Sequence, residues 1–202
     1  MATIDVKTTD KIFICGQTGS GKTELAKYVF QRMPRGIVYD IQWESKLEGL
    51  GIVVHSIEEI PPNFQKIVFQ PEDDSPEYFD KFCEHVFKNH QNFVLYVEEV
   101  ADLASLHDCP PGFSKMLRRG RKFGIGVMMT TQQTSNTNKL CISQSQHIIC
   151  FYIFEKNHLE YVAACAGISK SEADQIRRLR PYHFWYYNQH AIQICLPIPQ
   201  LK

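Results

Sequence analysis

The chain carries no excess charge, no long apolar run and no metal-type cysteine spacing, and each absence removes a class of function. Lysine plus arginine number 22, and so do aspartate plus glutamate. No global field therefore draws the chain to nucleic acid or to an anionic membrane, and contact with a polyanion must come from a local patch. The longest strongly apolar run, Ile148 to Phe154, falls far short of the ~20 residues a bilayer requires. The opening MATIDVKTTDK has no apolar signal core, which argues against secretion. Seven cysteines, at 15, 83, 109, 141, 150, 165 and 195, form no CxxC pair, and the eight histidines show no ligand spacing. The cysteines read as buried small hydrophobes in a reducing compartment. A disulfide would fit only a hyperthermophilic source, and zinc has no ligand set. Repeats, low-complexity blocks and interdomain linkers are also missing, so residues 1–202 read as one domain.

What is present is concentrated in GQTGSGKT at residues 16–23, which follows the apolar run from Ile12 and precedes a helical pattern. Strand, GxxxxGK[ST] and helix in that order predict a phosphate loop. Gly16, Gly19 and Gly21 let successive backbone N–H groups turn toward phosphate oxygens, with Gln17, Thr18 and Ser20 completing the loop. The helix opening near Gly21 adds free N–H groups and a positive dipole end. Lys22 is expected to reach the β- and γ-phosphates and the Thr23 hydroxyl to ligate Mg²⁺.

Strand-like and helix-like segments alternate, which predicts an α/β domain with a mainly parallel sheet flanked by helices. Strands are expected at 11–15, 36–40, 52–55, 66–70, 93–97, 125–131 and 147–154. A hairpin of 183–187 and 191–196 closes the chain. Helices are expected at 22–33, with Leu25, Tyr28, Val29 and Met33 on one face, and after Ser75-Pro76, with Phe79, Phe82, Cys83 and Val86 inward. A basic helix is expected within 110–122, and two more near 157–166 and 169–179. Asp40 at a strand end reads as a turn or cap residue. The aromatic stretch Phe184–Tyr187 reads as core, with base contact as the other possibility.

The strand Phe93–Val97 ends in Glu98-Glu99. Two carboxylates beside a phosphate loop suit metal-assisted hydrolysis, with Glu98 holding Mg²⁺ and Glu99 activating water. Aspartate is usual at the first position, and the longer Glu98 leaves room for the two to exchange roles. The strand Ile125–Thr131 runs into Gln132-Gln133. An amide there can bond both the γ-phosphate and the attacking water, and Gln132 is the expected sensor. Between 115 and 122 lie five basic residues and no acid. That window fits a solvated face, a DNA channel, or an arginine acting on a neighbouring subunit's γ-phosphate. Arg177, Arg178 and Arg180, with Glu172 and Asp174 nearby, read as surface.

GQTGSGKT at 16–23, FVLYVEEV at 93–100 and RRGRKFGIGVMMTTQQ at 118–133 together resemble the HerA/FtsK superfamily of DNA-pumping ATPases. Within it, the chain is similar to the single-domain genome-packaging ATPases of membrane-containing icosahedral viruses, those of the Sulfolobus turreted icosahedral viruses above all. The resemblance implies a RecA-like fold, ATP and Mg²⁺ as ligands, and a hexameric ring that drives double-stranded DNA into a preformed capsid. It also implies one arginine acting in trans, Arg119 or Arg121 by position beside Gly120, with Arg118 as a third candidate. The implied location is the host cytoplasm or the packaging vertex of the virion, docked to a capsid or membrane-associated virion protein. The chain has no room for the extra barrel of HerA-type or the DNA-reading domain of FtsK-type translocases. A small-molecule kinase and a non-translocating NTP-dependent assembly switch are the competing functions.

Overall fold

Six of the seven parallel strands are buried from end to end or nearly so, because both of their faces are covered. The computed structural model describes residues 5–188 and 191–195. Strands β1 (Lys11–Cys15), β2 (Gly36–Tyr39), β3 (Ile52–Val54), β4 (Lys66–Phe69), β5 (Phe93–Val97), β6 (Ile125–Thr131) and β7 (His147–Cys150) all run parallel. β8 (Phe184–Asn188) and β9 (Ala191–Cys195) join antiparallel, giving the order β3-β4-β2-β5-β6-β1-β7-β8-β9. Parallel strands with helices on both faces need near-continuous apolar sequence, which is why β1, β5 and β6 stand out as unbroken runs. Among the strand side chains the structure describes, only β3, at the edge, exposes one as large as Ile52.

Alternate strand residues feed two cores. Ile12, Ile14, Val38, Tyr96 and Met128 meet α1 (Lys22–Arg32) and α2 (Ser45–Glu48) on one face. Phe13, Ile37, Leu95, Val127 and Met129 meet the remaining helices on the other. These are α3 (Pro76–Asn89), α4 (Val100–Leu103), α5 (Pro111–Arg119), α6 (Lys139–Ser143), α7 (Lys156–Ala166) and α8 (Lys170–Ile176). The start of α3 follows from its sequence, since the Ser75 side chain accepts from Tyr78 N–H at 3.2 Å and Pro76 occupies the first turn. Phe79, Phe82, Cys83 and Val86 are its buried face, as the periodicity predicts. Burial is worth about 1.5–3 kcal/mol for each of the larger side chains.

Several expectations shift. The stripe that α1 buries is Lys22, Ala26, Phe30 and Met33 with Leu25, while Tyr28 and Val29 stay half-exposed. Lys22 turns inward toward the loop at the first turn, and Val29 packs against the core from a half-buried position. β7 ends at Cys150 and does not continue to Phe154. Its neighbour β1 turns away there; Phe151 N–H still reaches Cys15 O and Gln17 N–H reaches Tyr152 O, and the ladder then stops. The basic helix closes at Arg119 and tightens into a 3₁₀ turn over Gly120–Phe123. The short α2, α4 and α6 carry too few residues for a period to be read. In the C-terminal hairpin the strands pair as expected; its connecting residues 189 and 190, and Leu196, lie outside the described residues.

Candidate nucleotide site

At the C-terminal end of β1 the backbone enters conformations closed to most residues. Gly16 has φ +148°, and a Cβ on it would lie 2.6 Å from the Cβ of Phe151. Gly21, the residue capping α1, has φ +111°. The loop between them is solvent-facing at Gln17, Thr18 and Gly19, while Ser20 and Lys22 are buried. Ser20 Oγ is buried with no hydrogen-bond partner, and Gly19 faces open space. An orphaned hydroxyl beside an open glycine turn at a helix N-terminus is a fitting cradle for phosphate oxygens. Lys22 Nζ donates to Gln17 O at 3.1 Å, so the ammonium is folded back over the loop. Burial lowers its pKa, and the Glu99 and Glu98 carboxylates oppose that shift.

The two glutamates are held differently. Glu98 Oε1 accepts from Thr23 Oγ1 at 3.4 Å, while Oε2 accepts from Thr130 Oγ1 at 2.7 Å and from the Tyr96 hydroxyl. Thr23 and Glu98 thus present oxygen donors side by side, the set that suits Mg²⁺ shared with substrate phosphates. Glu99 adopts φ +47°, which turns the chain from β5 into α4. Its carboxylate accepts from Thr131 Oγ1 at 2.6 Å and from Gln132 N–H at 3.1 Å. Burial pushes both carboxyls above the usual range. Hydrogen bonds from Tyr96 and Thr130 to Glu98, and from Thr131 and Gln132 to Glu99, limit the rise.

Gln132 closes the arrangement. Its side-chain oxygen meets Thr18 Oγ1 on the loop, while its backbone N–H holds Glu99. Gln133 instead accepts from Asn136 Nδ2 at 2.7 Å, within its own turn. Loop, paired carboxylates and Gln132 are therefore one contiguous cluster. Arg118, Arg119 and Arg121 are not part of it. All three are exposed at the end of α5 and in the turn before β6, where Gly120 packs against Ile125. β6 is seven residues long, which puts its two ends roughly 20 Å apart at ~3.3 Å per residue. Asp40, fully buried, accepts from Gln70 Nε2 at 3.0 Å at the end of β2, a loop-anchoring role in line with its position in the chain.

Tyr96, Thr130 and Thr131 escape a motif search yet hold the glutamates. Their signal lies in register: β5 and β6 pair Val97 with Met129, so the next two residues of each strand run on side by side. Phe184, Trp185 and Tyr186 are buried and belong to the core. Among the described side chains all six cysteines are free, and no cluster of three or more His, Cys, Asp or Glu residues could hold a metal. No described helix is long and apolar enough to cross a membrane.

No protein-family model matches the chain. Protein P9 of Pseudoalteromonas phage PM2 is 24% identical over 184 residues, spanning 86% of this chain and 83% of that protein. The genome packaging NTPase B204 of Sulfolobus turreted icosahedral virus 2, solved with sulfate, superposes with a TM-score of 0.83 at 24% identity and covers 97% of this chain and 100% of its own. The same NTPase has been solved with AMP, ATP-gammaS and AMPPCP. VirB4 of Thermoanaerobacter pseudethanolicus superposes with a TM-score of 0.68 at 11% identity, covering 95% of this chain and 90% of that one. With the parallel sheet and the loop after β1, these likenesses identify the fold of this chain as that of a RecA-like P-loop NTPase.

Proposed function

We propose that the chain is an ATP-hydrolysing subunit of a DNA-packaging motor, working as a ring on double-stranded DNA at a capsid. The observation that carries this reading is the division of the site. The phosphate loop, Glu98, Glu99 and Gln132 are gathered at the C-terminal ends of β1, β5 and β6, while Arg118, Arg119 and Arg121 stand exposed near the opposite end of β6. No arginine of that cluster lies near its own loop, which supports a neighbouring subunit as the source of the charge. The likeness to a genome packaging NTPase across nearly the whole chain supports the same reading.

The roles follow from the contacts. Loop N–H groups other than those of Gln17 and Ser20, which donate to Tyr152 O and Gln17 O, would bind the phosphates together with Lys22, and Ser20 offers its unpartnered hydroxyl. Thr23 and Glu98 would hold Mg²⁺, which supplies neutralisation of charge on the β- and γ-oxygens when bound. Glu99, with its raised pKa, takes the proton of the attacking water. Gln132 links loop and base, so loss of the γ-phosphate is felt by both at once. Surplus arginines and lysines of the 115–122 window would contact DNA phosphates without sequence preference, making binding salt-sensitive.

The test mixes two inactive variants. Lys22→Ala subunits keep their arginines, and subunits with Arg118, Arg119 and Arg121 all neutralised keep their loops. Recovery of DNA-stimulated ATP hydrolysis on mixing is the expected result, and full activity of the arginine variant alone would end the trans reading. Phosphate transfer to a nucleoside or nucleotide exceeding transfer to water would make the protein a kinase instead.

A further inference from the structure

Glu98, Glu99 and Gln132 follow β5 and β6, on one side of β1. A terminal phosphate read by these side chains would face that side, which leaves the other side, over β7 and β8, for the nucleoside. Two large side chains stand exposed there among the described residues, Phe154 after β7, which shares a cavity with Gly16 and Gln17, and Tyr182 before β8, which alone of the two borders Gly21. Tyr182 is 53% exposed and sits two residues before β8, beside the last glycine of the loop. A Cβ on Gly21 would lie 3.1 Å from Tyr182 Cδ1 and 3.2 Å from Phe151 Cε1, so both rings border the cap of α1.

The backbone adds a second observation. Tyr182 has φ +62°, a left-handed conformation that is uncommon for a bulky residue and that gathers at ligand sites. The Tyr182 ring stands half out in solvent, whereas Phe184, Trp185 and Tyr186 just after it are buried. Behind it Phe151 is fixed by Phe184, with centroids 5.4 Å apart. Residues 177–183 also carry three arginines and no acid, so the rim repels no nucleotide charge.

We infer that Tyr182 is the stacking platform for the base of the bound nucleotide, and that it selects for a purine through the face of the ring. The inference rests on the nucleotide reading of the loop and adds the subsite that the phosphate contacts leave open. A purine offers the larger flat surface to an aromatic ring, and base–aromatic stacking is worth ~1–3 kcal/mol, a factor of roughly 5–150 in affinity.

Calorimetric titration of the full chain with ATP and with inorganic tripolyphosphate tests it. Tyr182→Asn removes the ring but tolerates the left-handed backbone, and Tyr182→Trp keeps a ring. Expected is an ATP affinity roughly tenfold weaker in Tyr182→Asn, unchanged tripolyphosphate affinity, and wild-type ATP affinity or better in Tyr182→Trp. Unchanged ATP binding in Tyr182→Asn overturns the inference. So does equal weakening of both ligands, which would mean that the ring only shapes the loop. Failure of the wild-type chain to bind either ligand would remove the phosphate-loop reading itself, a different result from failure of the base site.

Discussion

Single side chains at the loop separate binding from turnover. Lys22 sits over the loop with its ammonium on Gln17 O and both carboxylates nearby. Lys22→Ala should abolish hydrolysis and leave nucleotide binding at least tenfold weaker by titration, in keeping with one lost charge-assisted contact. Glu99→Gln should bind ATP as the wild type does and turn over roughly 10²–10⁴-fold more slowly; rapid turnover would move the base role to Glu98. The same carboxylates make a pH prediction whose sign is fixed. Burial raises both folded-state pKa values above the ordinary 4.5. The native state therefore holds protons that the unfolded chain has released, and stability falls as pH rises through the window above the ordinary value. Glu98→Gln with Glu99→Gln removes that penalty. The double variant should melt above the wild type at about pH 8, and the gap should close toward about pH 5. A gap independent of pH would mean that neither carboxyl carries the burial cost.

At the scale of elements, what could be read beforehand depended on whether local chemistry or a distant neighbour decides. β1, β5 and β6 appear with the expected limits because burial on both faces leaves an unbroken apolar signature within the strand. The overrun of β7 has the opposite cause. Ile148 to Phe154 is as apolar as any strand, but the ladder ends where Gly16 bends its partner away. Phe151 instead becomes the wall of the phosphate loop, a role invisible without the β1–β7 pairing. The threonines that hold the glutamates depend likewise on knowing that β6 lies beside β5. Gly16→Ala tests the close approach of loop and wall. The added methyl would meet Phe151 Cβ at 2.6 Å on a backbone at φ +148°. A loss of more than about 1 kcal/mol in unfolding free energy is expected, together with weakened nucleotide binding. Wild-type stability in that variant would mean that the loop has room to shift.

For the whole molecule, the sheet is polar: the loops of the proposed nucleotide site lie at the C-terminal ends of the parallel strands, and the exposed Arg118, Arg119 and Arg121 lie at the opposite end. Specific activity should therefore fall on dilution, as measured by DNA-stimulated hydrolysis across a concentration series. A constant specific activity down to the monomer would sink the shared site. A donor edge and an acceptor edge on one body make a head-to-tail contact, not a self-matching one. Any open row of subunits then ends with a loop that no arginine reaches and an arginine with no loop to serve. Joining the two ends would satisfy both, so on the proposed trans reading completing the last active site and closing the circle would be a single event. In the proposed ring, nucleotide would act as the clasp, and catalysis would become a readout of whether the circle is whole.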